Sequence, residues 1–159
     1  MRYLLISAIS LFALSGCGGV PSSGGEKMEF SLPGLDGEIY TLSDFNGKVY
    51  IIDFWATWCG PCRLSIPFLK RLYGELRDKG LVVIGIGLDS EPALRSFAEQ
   101  MEIDYPVLVG TREIAIRYKI RGIPTMFIVD EKGKIIDRVV GYAPSVEGKI
   151  KNRVLELLE

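Results

Sequence analysis

Histidine is absent from the 159-residue chain, which removes the most common general base of enzymes and the most common metal ligand. Acid–base chemistry then has to use carboxylates, thiols, lysine or tyrosine. Blocks of charge of one sign are also missing, because 19 basic and 20 acidic side chains are spread along the chain to a net charge of −1. This balance argues against a nucleic-acid partner, whose phosphates attract clustered Lys and Arg. The length suits one domain with a substantial core.

Long hydrophobic runs are scarce as well. The N-terminal run at 3–14 is shorter than the roughly 20 residues that a membrane-spanning helix needs and is of signal-peptide length. The segment 14–17 behind it, Leu-Ser-Gly-Cys, resembles the lipobox of bacterial lipoproteins, in which the signal is removed before an acylated cysteine. By this resemblance residues 1–16 form a signal peptide, Cys17 is a lipid anchor, and 17–27 form a flexible Gly/Ser-rich tether. An uncleaved short anchor and an ordinary signal with an incidental cysteine are the alternatives.

Cysteine is rare too, and the other two of the three in the chain lie three positions apart. Cys59 and Cys62 stand where a buried strand predicted over 48–54 gives way to a helix predicted over 61–79. A thiol at a helix N-terminus lies near unpaired backbone N–H groups, whose partial positive charge stabilises the thiolate. Cys59 is therefore predicted to be a nucleophile near neutral pH, and Cys62 is near enough to close a disulfide with it.

The rest of the chain alternates strands and helices. Two short alternating runs around a Pro-Gly turn predict a β-hairpin at 29–42. The i, i+4 spacing places Leu64 on the buried stripe of the long helix with Phe68, Leu72 and Leu76. This alternation predicts an α/β fold with a mainly parallel sheet and an antiparallel edge. The later predicted elements are strand 81–88, helix 91–102, strand 105–109, helix 112–119, strands 125–130 and 134–140, and helix 144–158.

Two separated motifs resemble those of thioredoxins. The segment 53–62, Asp-Phe-Trp-Ala-Thr-Trp-Cys-Gly-Pro-Cys, is similar to their active-site segment. The segment 118–125, Tyr-Lys-Ile-Arg-Gly-Ile-Pro-Thr, is similar to their loop with a cis proline that faces the disulfide. The hairpin and an extra helix and strand at about 89–110 resemble the membrane-anchored TlpA/ResA-like branch. The resemblance implies, for a domain spanning 28–159, a thioredoxin fold with an N-terminal β-hairpin extension and a central helix–strand insertion.

The same resemblance implies a thiol-disulfide oxidoreductase whose only redox group is the Cys59–Cys62 disulfide, with no separate cofactor. Cys59 is expected to attack a substrate disulfide as thiolate, and Cys62 to resolve the mixed disulfide. Asp53, in an otherwise apolar strand, is expected to have a raised pKa and to accept the Cys62 proton, the role that the family assigns to this position. The alternative is a polar strand residue satisfied by backbone or water. Thioredoxins also have a buried lysine near this aspartate, but the corresponding strand reads Ile-Gly-Ile-Gly at 84–87.

Substrate binding is predicted around both motifs. A cis Pro124 exposes the backbone of Ile123 to an extended polypeptide, which suits several protein substrates. Trp58, next to the nucleophile, is predicted to be an exposed contact surface, with a core aromatic as the alternative, whereas Trp55 is predicted to pack beneath the site. The predicted substrate-binding set is Trp58, Gly60, Pro61, Ile123 and Pro124.

Rival functions need signals that this chain lacks. A zinc site needs four ligands, and the chain has no histidine and only Cys59 and Cys62 beside the predicted lipid anchor Cys17, so no metal site is predicted. A purely structural disulfide across so small a loop contributes little entropy to stability. A peroxiredoxin, whose opening resembles 30–48, needs a Pro-x-x-x-Thr-x-x-Cys arrangement, and Thr57 lies two residues before Cys59 instead of three. A copper chaperone of the Sco type uses a wider cysteine spacing and a distant histidine.

The combined prediction is an extracytoplasmic reductase of protein disulfides, in the periplasm or at the cell surface, held to the membrane by lipidated Cys17. Gly-Pro between the cysteines and Ile before Pro124 resemble reducing thioredoxins more than oxidases such as DsbA. A reductant in an oxidising compartment needs electrons, so a membrane thiol donor is expected beside disulfide-bearing protein substrates. Relatives devoted to cytochrome c maturation tend to have glutamate where this chain has Ser65, and often asparagine at Asp53. These differences favour a general reductase, and a role in cytochrome c maturation stays open.

Overall fold

A computed structural model describes residues 25–159. The predicted signal peptide 1–16 and the predicted lipidation site Cys17 lie outside the described residues, as does most of the predicted tether. Strands and helices alternate after an initial hairpin, as the sequence predicts. The elements are β1 (Ser31–Pro33), β2 (Ile39–Thr41), β3 (Val49–Trp55), α1 (Gly60–Leu76), β4 (Leu81–Gly87), α2 (Glu91–Gln100), β5 (Val107–Val109), α3 (Arg112–Arg117), β6 (Thr125–Asp130), β7 (Ile135–Val140) and α4 (Glu147–Leu158).

Five strands form the central sheet in the order β5-β4-β3-β6-β7. β3, β4 and β5 are parallel, while β6 is antiparallel to β3 and β7 is antiparallel to β6. Every residue of β3 is buried, because neighbouring strands cover both of its edges and packed elements cover both faces. This sheet confirms the predicted parallel centre and antiparallel edge.

The hairpin and the insertion lie against each other at one edge of this sheet. β1 and β2 pair as a separate two-stranded sheet, shorter than the predicted hairpin strands. Gly34 bridges to Leu108 of β5, and the Leu35 N–H donates to the Val107 carbonyl at 3.3 Å. The N-terminal extension and the α2–β5 insertion are therefore joined by backbone contacts at this edge of the thioredoxin core. The predicted fold class is confirmed.

The side chains of β3 alternate between the two faces of the sheet. Val49 and Ile51 pack with α1 and α4, whereas Ile52 and Phe54 pack on the other face with the hairpin and α3. Asp53 follows Val49 and Ile51 in this alternation. Its carboxyl therefore points into the layer between the sheet and α1.

One predicted core position on α1 is wrong. Leu64 is 63% exposed, whereas Cys62, Ser65 and Ile66 are fully buried. The physical reason is that an i, i+4 series drifts by about 40° per step, since each helical residue turns about 100°. Residues at this spacing therefore rotate around the helix: Phe68 and the later members of the series are buried, whereas Leu64, one turn earlier, faces solvent.

The described chain enters the domain at the β6–β7 turn. The Ile135 N–H donates to the Glu26 carbonyl at 2.9 Å, and the Met28 N–H donates to the Gly133 carbonyl at 2.7 Å. Since β3 and β6 are antiparallel, this turn lies beside the start of β3, at the opposite end of the sheet from Cys59. Across residues 25–159, no helix combines the length and apolarity that crossing a membrane requires.

Candidate active site

Cys59 and Cys62 form a disulfide at the start of α1, with the sulfurs 2.02 Å and the Cα atoms 5.3 Å apart. Cys59 is the N-cap residue of the helix, and the Cys62 N–H donates to its Sγ at 3.2 Å. Cys59 is 4% exposed and Cys62 is fully buried. Cys59 therefore keeps a small exposed fraction and Cys62 keeps none, and the predicted roles of the two cysteines stay predictions.

A cation, Arg63, lies one turn into the helix. The Arg63 guanidinium donates to the Thr57 carbonyl at 3.0 Å and stacks on the ring of Phe97 at 4.6 Å. These contacts hold the positive charge beside the segment that leads into Cys59.

The loop between β3 and α1 is tied to the end of β4. The Thr57 hydroxyl donates to the Asp89 carboxylate, and this hydrogen bond lowers the pKa of Asp89. The Leu88 N–H donates to the Trp55 carbonyl at 2.8 Å. These bonds leave Trp58 at the tip of the loop, 73% exposed, as the contact-surface prediction requires. Sequence reasoning missed Asp89 in this role, because only the sheet register places it beside Thr57.

The second motif faces the disulfide. The Ile123–Pro124 peptide bond is cis, and the Ile123 carbonyl oxygen lies 3.6 Å from Cys59 Sγ. A disulfide sulfur has no proton to donate, so this is a contact rather than a hydrogen bond. The Pro124 carbonyl accepts the Gly141 N–H at 2.7 Å, which ties the loop to the end of β7. The fold thus brings together the two segments that the sequence analysis singled out.

The predicted substrate-binding residues line one exposed surface around Cys59. Gly60 and Pro61 are exposed beside Trp58, Ile123 is half-buried, and Pro124 is buried beneath it. Val140, exposed at the end of β7 and close to Gly122, adds an apolar side chain that sequence reasoning missed. Their roles in binding stay predictions.

Trp55 packs beneath the site, as predicted. It is fully buried, with its ring 5.2 Å from the ring of Phe97. In the part of the chain with described coordinates, no group of three His, Cys, Asp or Glu side chains is placed to hold a metal ion.

Asp53 is fully buried, and neither of its carboxylate oxygens has a hydrogen-bond partner among residues 25–159. Burial raises the pKa of this carboxyl to about 8. A carboxyl that titrates near neutral pH is suited to accept and return a proton during turnover. The alternative interpretation of Asp53 names a backbone or a water partner, and among those residues no backbone group bonds to the carboxyl.

Residues 24–138 match the AhpC/TSA family. The chain belongs to this thioredoxin-like family. Thiol-disulfide oxidoreductase ResA of Bacillus cereus (strain ATCC 10987 / NRS 248) is 34% identical over 152 residues, covering 87% of this chain and 88% of ResA. The thioredoxin-like protein YneN of Bacillus subtilis (strain 168) is 38% identical over 122 residues, covering 74% of this chain and 71% of YneN.

Solved structures agree with the sequence relatives. A Chlorobium tepidum protein described as thiol:disulfide interchange protein DsbE has a TM-score of 0.80 and 32% identity, over 86% of this chain and 97% of that protein. With these relatives and the Cys59–Cys62 pair, this family member is a thiol-disulfide oxidoreductase that acts on disulfide-bearing proteins. The predicted enzyme class is confirmed.

Proposed function

We propose that this oxidoreductase reduces protein disulfides outside the cytoplasm, with Cys59 as nucleophile and Cys62 as resolving thiol. The observation that carries the proposal is the Ile123 carbonyl 3.6 Å from Cys59 Sγ, beside the exposed Trp58. An extended peptide that hydrogen-bonds to this loop places its own disulfide against Cys59. Recognition through backbone groups suits many different protein substrates.

The reaction runs in two thiol–disulfide exchanges. The Cys59 thiolate attacks one sulfur of the substrate disulfide, which forms a mixed disulfide and releases the other sulfur as a thiolate. Cys62 then gives its proton to Asp53 and attacks Cys59 Sγ. The enzyme disulfide forms, and the second substrate sulfur leaves as a thiolate that takes a proton back from Asp53. Two electrons pass from the dithiol to the substrate, and a membrane thiol donor restores the dithiol.

The direction of electron flow is tested by the reduction potential. We expect a value near that of thioredoxin, about −270 mV, and not near that of the oxidase DsbA, about −120 mV. Equilibration with defined dithiothreitol ratios, followed by mass spectrometry of alkylated cysteines, gives this value. A potential close to that of DsbA contradicts the reductase proposal. Peroxide-consumption and copper-titration assays on the same sample test the peroxiredoxin and Sco-type alternatives, and we expect both to be negative.

The proposed membrane position rests on Cys17 and its lipobox resemblance. Among the described residues, pairing with the domain begins at Glu26, at the end of the sheet opposite Cys59. We expect the full-length protein to partition into the detergent phase on Triton X-114 extraction of the host cells, and Cys17→Ser to move it to the aqueous phase. Cys59→Ser is the matched control and should partition like the wild type. Uptake of labelled palmitate by the wild type and its loss in Cys17→Ser report the acylation itself, and a wild-type protein that takes up no label disproves the lipid anchor.

General disulfide reduction is preferred over cytochrome c maturation because of Ser65. Its side chain is fully buried, and its hydroxyl donates to the Cys62 carbonyl of the preceding helical turn at 3.1 Å. The position therefore adds no charge beside the dithiol, unlike the glutamate of relatives devoted to cytochrome c maturation.

A further inference from the structure

Four buried polar atoms lie without a hydrogen-bond partner among the described residues. They are the two carboxylate oxygens of Asp53, the indole Nε1 of Trp55 and the phenol oxygen of Tyr105. Asp53 and Trp55 are fully buried, and Tyr105 is 4% exposed. Buried polar groups in folded proteins are nearly always paired with protein or with ordered water. The set holds two acceptor atoms and two groups that can donate, so its members are chemically able to pair with each other.

The sheet register brings the side chains that carry these atoms toward Gly85. Asp53 is directly opposite Gly85 in the parallel β3–β4 pair, and the absence of a side chain at Gly85 lets the Trp55 indole approach the face toward which Asp53 points. A Cβ atom on Gly85 would lie 2.7 Å from Trp55 Nε1 and 3.4 Å from Tyr105 Cε2. The indole N–H and the Tyr105 ring thus both reach the space beside Asp53.

The other elements that pack over this face bring apolar side chains. Met126 of β6 lies opposite Asp53, α4 contributes Ile150 and Val154, and α2 contributes Leu94 and Phe97. Several of the charged and titratable side chains of α1 and of the segment before β5 are bound elsewhere. Arg63 donates to the Thr57 carbonyl, Lys70 donates to the Met101 carbonyl, and Arg71 and Glu75 pair with Glu147 and Lys151 of α4. The others are Cys62 in its disulfide with Cys59, Tyr73 packed edge-on against Tyr105, Glu102, Asp104 and Tyr105 itself.

Tyr105 is the member of this set suited to be a permanent donor. Burial, and next the Asp53 charge, raise the pKa of its phenol well above 10. Its hydroxyl therefore keeps its proton over the whole range in which Asp53 titrates. A phenol O–H and an indole N–H can each donate one hydrogen bond to a carboxylate.

We propose that Tyr105, together with the indole N–H of Trp55, positions the Asp53 carboxylate by donating hydrogen bonds to it, directly or across one buried water. One water among four polar atoms has the partners that a buried water needs. This arrangement takes the place of the lysine that is missing at 84–87. Tyr105 is a positioning residue here, and the inference rests on the proposed role of Asp53 as proton acceptor for Cys62.

The test is the Asp53 titration in the full-length oxidised protein, recorded by NMR of 13C-labelled aspartate carboxyl groups and assigned with Asp53→Asn. Tyr105→Phe keeps the ring and removes only the donor. We expect the Asp53 midpoint to rise by about one pH unit, because a hydrogen bond to a charged group is lost. The pH profile of mixed-disulfide resolution, followed by stopped flow on the reduced protein, should move by the same amount.

Tyr73→Phe is the matched control, because it removes a hydroxyl from the ring that packs against Tyr105, with centroids 6.3 Å apart. The Asp53 midpoint should not change in this variant. A Tyr105→Phe protein that is less stable but keeps the wild-type midpoint overturns the inference, since a purely structural role predicts that result. If Tyr105→Phe moves the midpoint while Asp53→Asn leaves the pH profile of resolution unchanged, the inference stands and the proposed role of Asp53 fails.

Discussion

Cys59→Ser should lower disulfide reduction to the uncatalysed rate, whereas Cys62→Ser should stop the reaction halfway with the substrate bound. The reason is access: Cys59 keeps a small exposed fraction and contacts the Ile123 carbonyl, whereas Cys62 is fully buried. Without Cys62 the mixed disulfide has no internal thiol to resolve it. Insulin reduction measures the first effect, and intact-mass spectrometry of Cys62→Ser measures the second.

The Cys62→Ser variant also identifies physiological substrates. Proteins held on Cys62→Ser by a bond that dithiothreitol breaks are candidates, and the Cys59→Ser, Cys62→Ser double variant is the matched control that should hold none. Retention of the same proteins by the double variant shows non-covalent adhesion. Equal trapping by Cys59→Ser alone contradicts the assignment of Cys59 as the nucleophile.

Asp53→Asn should make the oxidised protein more stable at alkaline pH and leave its stability near pH 4 almost unchanged. Burial raises the pKa of Asp53 from 3.8 to about 8, so between these values the folded protein binds a proton that the unfolded chain does not. The wild-type free energy of unfolding therefore falls as pH rises from about 4 to 8, and stays lowered above 8. The full effect is on the order of 5 kcal/mol, and asparagine does not titrate.

Urea unfolding of both proteins at pH 5, 7 and 9 measures this difference. The gain from Asp53→Asn should be larger at pH 9 than at pH 5, with a slower resolution step as its functional consequence. Asp78→Asn is the control, because the Asp78 side chain is 94% exposed and its replacement should change stability by no more than about 0.5 kcal/mol at any pH. Unfolding curves of wild type and Asp53→Asn that differ equally at all three pH values contradict a buried, neutral carboxyl.

The residues in both predictions could be selected from the sequence, because local patterns in the chain mark them. The apolar run before the Cys-x-x-Cys pair predicts a strand, and the helical periodicity after it predicts a helix. Cys59 is therefore predicted to lie at a helix N-terminus. The same local rule fails at Leu64, where a uniform i, i+4 spacing ignores how far the stripe rotates around the helix.

Local patterns do not show which residues of separate elements contact each other. Thr57 meets Asp89, and the Ile123 carbonyl meets Cys59, only because the sheet aligns the ends of β3, β4 and β6. Motif resemblance predicts that the second pair meets, but not the distance. Nothing in the residues around Asp89 marks it as a support of the active-site loop.

Asp53 shows most clearly which features depend on the sequence alone and which depend on the tertiary structure. The sequence by itself determined that a carboxyl stands in a buried strand ahead of a reactive dithiol, and that no lysine follows at 84–87, since both facts depend only on residue order. Only the tertiary structure decided what lies next to that carboxyl: the register sets Gly85 opposite Asp53, and the insertion brings Tyr105 close to Gly85. Side-chain partners across a sheet depend on packing between elements, which no local pattern in the chain reports.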